Sequence, residues 1–200
     1  VRADRLRAAA RGLGTWLSEH VEPLANGWIP RRVTPEGAAY PLSPEGGTDS
    51  MFDQSADGLF LLDLWLRLGD TARARALGDA FIAVGGFWGS INHDTYDSCE
   101  NVAYAVAFRI LRRGADALGL PAWRQFAYDV ALPAMAAFRM PRDEHGVVTR
   151  GLFWMEKSWD TAYLWENAEV AQAYLEAWLE ADDAAARDAA LETLAAIAHH

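Results

Sequence analysis

Apolar side chains recur every three or four positions along most of the chain. Leu6, Ala9, Ala10, Leu13, Trp16 and Leu17 form one stripe within residues 1–20, the spacing that lays a single apolar face along a helix. The same period predicts helices over about 55–68, 71–84, 100–118, 121–140, 160–179 and 182–198. Strand-like alternation is confined to short stretches such as 146–149, so the class is all-α.

The gaps between these helices alternate in length. Gly69-Asp70, Gly119-Leu120 and Glu180-Ala181 are tight αα-hairpin turns. Residues 21–54, 87–99 and 141–159 are long connections that hold many of the aromatics. Short turns at one end and long loops at the other gather the elaborate loops on a single face. The helices that follow a long loop are apolar nearly all round, as Leu59 to Leu62, Val102 to Phe108 and Ala162 to Trp165 illustrate, which marks an inner layer with Trp65, Trp165 and Trp178 in its core. Those that follow a short turn are amphipathic, with Arg73, Arg75 and Asp79 set against Leu77 and Phe81, and form an outer layer. The expectation is one domain over 1–200, a curved double layer of parallel inner helices wrapped by antiparallel outer ones.

Each inner helix is expected to open with serine, any residue, then an acid: Ser55-Ala56-Asp57, Ser98-Cys99-Glu100 and Ser158-Trp159-Asp160. Serine is a favoured N-cap, and a first-turn carboxylate gains about 0.3 to 1 kcal/mol from the helix dipole. If the three helices run the same way, Asp57, Glu100 and Asp160 also face one shared mouth. Carboxylates gathered there can exchange protons with a substrate, and a pair about 5 to 9.5 Å apart suits glycosidic hydrolysis.

Composition narrows the partners. The 200 residues carry 18 basic and 28 acidic side chains, a formal charge of -10, which argues against nucleic acid and anionic membrane surfaces. No run reaches the roughly 18 apolar residues of a membrane span. A single cysteine, Cys99, excludes an internal disulfide and leaves a cytoplasmic or an exported setting open. No signal-peptide pattern opens the chain; it starts at Val1 without an initiator methionine and stops at His200 in a helical pattern, so it reads as a piece of a longer protein. No Gly-x-Gly-x-x-Gly, phosphate loop or Gly-x-Ser-x-Gly occurs, so no nucleotide cofactor is expected. Asp97-x-Cys99 has the spacing of part of a zinc site, but no histidine context completes it, and no metal is expected.

Inner and outer helices that alternate, with a long loop before each inner helix, resemble the toroid of six αα-hairpins found in many carbohydrate-active proteins. About three and a half hairpins of that plan are visible here. The segments Asn92-His93-Asp94-Thr95-Tyr96-Asp97-Ser98-Cys99-Glu100-Asn101 and Trp154-Met155-Glu156-Lys157-Ser158-Trp159-Asp160 look like groove-lining stretches of such enzymes. The resemblance implies a substrate groove at the N-terminal ends of the inner helices and an oligo- or polysaccharide substrate.

Loop tryptophans agree with that chemistry, because a pyranose packs its C–H face on indole while its hydroxyls seek carboxylates and amides. Trp28, Trp88, Trp154 and Trp159, with Asn92, Asp94, Asn101 and Glu156, are the candidate substrate contacts. For glycoside hydrolysis the candidate acids are Glu100 and Asp160, with Asp57 in reserve. His93 and Tyr96 offer a second route, proton exchange at a sugar carbon, as in a polysaccharide lyase or sugar epimerase. A third reading is a non-catalytic helical-repeat scaffold. Glu166 and Glu169 form a polar stripe with Asn167, and His145 lies in an exposed turn.

Overall fold

The computed structural model describes residues 2–23, 27, 29–30, 33–38, 57–83, 100–158 and 160–200. Within them lie α1 (Arg2–His20), α2 (Asp57–Leu68), α3 (Thr71–Ala83), α4 (Asn101–Leu118), α5 (Pro121–Phe126), α6 (Leu132–Ala136), α7 (Leu164–Ala181) and α8 (Ala184–His199). The described residues contain no strand; isolated bridges pair Arg139 with Phe153 and Glu144 with Val147. The chain is mostly helical, as its periodicity predicts.

Each short turn has a local cause. Gly69 takes φ 84°, and the N–H groups of Gly69 and Asp70 reach back to the carbonyls of Leu66 and Trp65 at 3.2 and 2.9 Å, closing α2 in a Schellman arrangement. Gly119 ends α4 at φ 65°, with the N–H groups of Gly119 and Leu120 both reaching the Ala115 carbonyl. The turn after α7 lies at Asp182-Asp183, two residues beyond the expected Glu180-Ala181: Asp182 adopts φ 52°, and the Asp183 carboxylate accepts from the N–H groups of Ala185 and Ala186.

The helix expected over 121–140 ends at Ala136 and is not α-helical throughout. A π turn, Ala127–Ala131, separates α5 from α6. Pro133 lies just past it. Proline cannot donate to the carbonyl four residues back and its ring crowds that carbonyl, so a locally widened turn relieves both problems.

α4 is the centre of the molecule, touching α2, α3, α5, α6 and α7. Val102, Tyr104, Val106, Phe108, Ile110 and Leu111 on it are all buried, each contributing on the order of 1.5 to 3 kcal/mol by leaving water. Trp123 of α5 fills the space left by two glycines, Gly78 on α3 and Gly114 on α4, and its Nε1 donates to Asp79 at 2.8 Å. Arg109 of α4 pairs with Glu169 and Glu176 of α7, and Arg112 with Glu176 and Glu180. Partner numbers climb together on both helices, so α4 and α7 run in the same direction with their N-termini side by side.

Two expectations for α7 need correction. It begins at Leu164, and Asp160 lies among the non-helical residues before it. The Met155 N–H donates to the Thr161 carbonyl at 2.8 Å, which holds this stretch against the preceding loop instead of letting it wind. Trp165, expected in the core, is 61% exposed, whereas Trp65 is buried.

Candidate carboxylate site

Residues with buried polar side chains converge where α4 and α7 begin. Glu100 occupies the position before α4, with extended backbone at φ -121° and ψ 149°, and its side chain makes no capping bond. It is half-buried. Asn101, next along, is fully buried; its backbone N–H donates to the Met155 carbonyl at 3.0 Å and its Nδ2 to the Phe153 carbonyl at 3.4 Å. From α7, Asn167 is also fully buried. Its Oδ1 accepts from the Phe153 N–H at 2.7 Å, and its Nδ2 donates to the carbonyls of Phe153 and Tyr163 at 3.1 and 2.9 Å.

These bonds stitch the segment from Phe153 to Met155 to both helix starts, and the next residue, Glu156, is completely buried there. Glu166, in the first turn of α7, is 3% exposed. Burial, then the charges of Glu100 and Glu156, push its carboxyl from an ordinary 4.5 up to about 8. It therefore carries its proton at neutrality. Glu166 Oε2 and Asn101 Oδ1 are both buried without a hydrogen-bond partner.

Of the sequence candidates, Glu100, Asn101 and Glu156 meet at this site. Asp160 does not open α7 as expected: it is exposed and pairs with His145 at 2.5 Å. Trp154 is half-buried and packs against Met140, Leu152 and Ala196. Asp57 begins α2, but its side chain, like Trp28, Trp88, Asn92, His93, Asp94, Tyr96 and Trp159, lies outside the described residues. The stripe of Glu166, Asn167 and Glu169 divides: the first two turn inward, while Glu169 pairs with Arg109.

Glu166 escaped the Ser-x-acid pattern, yet a stronger signal marks it. Phe87-Trp88, Asp94-Thr95, Glu100-Asn101, Ala105, Ala107 and Phe108 recur, at one constant offset, as Phe153-Trp154, Asp160-Thr161, Glu166-Asn167, Ala171, Ala173 and Tyr174. In this register Glu166 is the counterpart of Glu100. The fold respects it: Asn101 and Asn167 donate to the same Phe153 carbonyl, and Phe108 and Tyr174 are both buried.

No protein-family model, curated protein or solved structure matches the chain. No helix of the described residues is long and apolar enough to cross a membrane. Among the same residues no group of three or more His, Cys, Asp and Glu is arranged to hold a metal ion.

Proposed function

We propose that the chain is part of a carbohydrate-active enzyme of the αα-toroid kind, and that its reaction is glycoside hydrolysis. The reading rests on Glu166, a carboxyl kept protonated at neutral pH beside two further carboxylates at the paired N-termini of α4 and α7. Glycoside hydrolysis needs one carboxylic acid to protonate the leaving oxygen and a second carboxylate to activate water or attack the anomeric carbon. Glu166 takes the first role. Glu100, half-buried at the positive end of α4, takes the second. The toroid part is supported by the parallel course of α4 and α7 and by the tight turns that join α2 to α3, α4 to α5 and α7 to α8.

Turnover of a panel of aryl glycosides tests this. Glu166→Gln and Glu100→Gln should each lower the rate by about 10² to 10⁴ with the fold intact; full activity in both variants rejects the reading. The scaffold alternative draws on one observation, the exposed Tyr163, Leu164 and Trp165 at the start of α7. It expects no turnover at all and partner binding that Glu166→Gln leaves unchanged. A product absorbing like an unsaturated uronate would instead point to lyase chemistry at His93 and Tyr96.

A further inference from the structure

Asn101 and Asn167 hold corresponding places in the repeat, yet they use their amides differently. Asn167 bonds through both ends: Oδ1 accepts from the Phe153 N–H, and Nδ2 donates to the carbonyls of Phe153 and Tyr163. Asn101 bonds through one, its Nδ2, which donates to that same Phe153 carbonyl at 3.4 Å. A carbonyl can only accept, so this bond fixes which end of the Asn101 amide is nitrogen and which is oxygen. Oδ1 is left over, buried and without a hydrogen-bond partner.

The fold gains little from this side chain. Its one bond is long, and the carbonyl it serves already has Asn167 Nδ2 at 3.1 Å, while the orphaned acceptor is a cost that a donor would relieve. The donor has a natural origin. Because the two amides meet at one carbonyl, Asn101 stands beside Asn167, whose neighbour in the chain is Glu166, and the half-buried Glu100 before it marks the edge on solvent. What that donor can be follows from the reaction. A general acid must still hold its proton once the substrate is bound, and Glu166 holds one at neutrality. A cation placed here would draw that proton off. A hydroxyl donates one hydrogen bond and carries no charge, so it meets the acceptor and leaves the acid intact.

We propose that Asn101 Oδ1 accepts a hydrogen bond from one hydroxyl of the sugar at the cleaved bond, which makes Asn101 a specificity-determining residue and a glycoside hydroxylated at that ring position the substrate class. This deepens the hydrolase reading and rests on it for the reaction, not for the contact.

The test is calorimetric titration with the methyl glycosides of glucose, galactose, mannose and xylose, then with the monodeoxy and monodeoxyfluoro analogues of whichever binds most tightly. Fluorine keeps the polarity of a hydroxyl but cannot donate. At one ring position, hydrogen and fluorine should each weaken binding at least about tenfold. Asn101→Ala, whose fold circular dichroism verifies, should bind the parent glycoside about as weakly as the unaltered protein binds those two analogues, and should tell parent from analogue by less than about twofold. Discrimination elsewhere on the ring should not change. Four results overturn the proposal: no binding of any glycoside, equal affinity for the parent and every deoxy analogue in the unaltered protein, a fluorinated analogue bound like the parent at every position, or discrimination that survives Asn101→Ala. The two readings fail separately. Hydrolysis of aryl glycosides with discrimination indifferent to Asn101→Ala removes this inference alone, and Asn101-dependent discrimination in binding without turnover of any glycoside removes the hydrolase alone.

Discussion

Asn167 grips Phe153 by both of its backbone polar atoms, accepting from the N–H at 2.7 Å and donating to the carbonyl at 3.1 Å. A single side-chain amide thus bonds the two backbone polar groups of Phe153 that its bridge to Arg139 leaves unused. It also fixes where the chain goes next: Met155 and Glu156 follow within two and three residues, and both are buried against the helix starts. A loop residue, Glu156, is placed through a helix residue that never has to touch a substrate.

Asn167→Ala should therefore destabilise the protein by roughly 2 to 4 kcal/mol, because it leaves the Phe153 N–H without its partner in a dry setting and takes one of two donors from each of the Phe153 and Tyr163 carbonyls. Asn167→Asp should be no milder, since its second oxygen would face the carbonyls of Phe153 and Tyr163. Urea unfolding checks both; a loss under about 0.5 kcal/mol for either would mean that the clamp carries no weight.

Glu166 makes stability depend on pH in a definite direction. Its folded carboxyl titrates at about 8, well above its ordinary 4.5, so between these values the folded chain keeps a proton that the unfolded chain has lost. The associated stability is fully present below about pH 4.5 and is lost as pH climbs towards 8. Its size is on the order of 3 to 5 kcal/mol. Measured as the difference between the unaltered protein and Glu166→Gln from pH 5 to 9, the gap should move in favour of the variant as pH rises. A flat difference would mean that Glu166 is wet.

Periodicity made the helices legible because burial at i, i+3 and i+4 is a local property of the chain. The start of α7 was not, since Ser158-x-Asp160 has the chemistry of a cap but α7 begins only at Leu164, and the residues before it are tied to the loop by the bond from Met155 to Thr161, a contact between loop residues that no short motif announces. Glu100, Asn101 and Glu156 could be picked out as polar groups beside an expected inner-helix start. Glu166 required the longer repeat that aligns it with Glu100. Trp165 misleads for a further reason: an apolar helix face signals a wish for burial, and here that face remains exposed. The π turn follows from Pro133, whose effect on the preceding turn is visible only once the helix is known to continue through it.

Trp123 and Gly78 provide a packing test. A Cβ added at Gly78 would lie 2.3 Å from Cη2 of Trp123. In a helix interior alanine is otherwise favoured over glycine by up to about 1 kcal/mol, but a rigid indole cannot yield, and overpacking costs about 1 to 3 kcal/mol. Gly78→Ala should be net destabilising. Combining it with Trp123→Phe should cost less than the two single changes added together, with a coupling of about 0.5 to 3 kcal/mol. Strict additivity in thermal unfolding would place the two residues out of contact.

The assignment of the acid can be decided between Asp160 and Glu166. Asp160 is exposed, and its bond to His145 is a surface pair, which contributes about 0 to 1 kcal/mol at most. Asp160→Asn should accordingly leave stability within about 1 kcal/mol and glycoside turnover within about threefold of the unaltered protein. Glu166→Gln should lower turnover by about 10² to 10⁴ and remove the activity loss that accompanies deprotonation as pH rises through about 8. The reverse pattern, with Asp160→Asn inactive and Glu166→Gln active, would return the acid's role to Asp160. It would also require the non-helical residues before α7 to fold onto the helix starts when substrate binds.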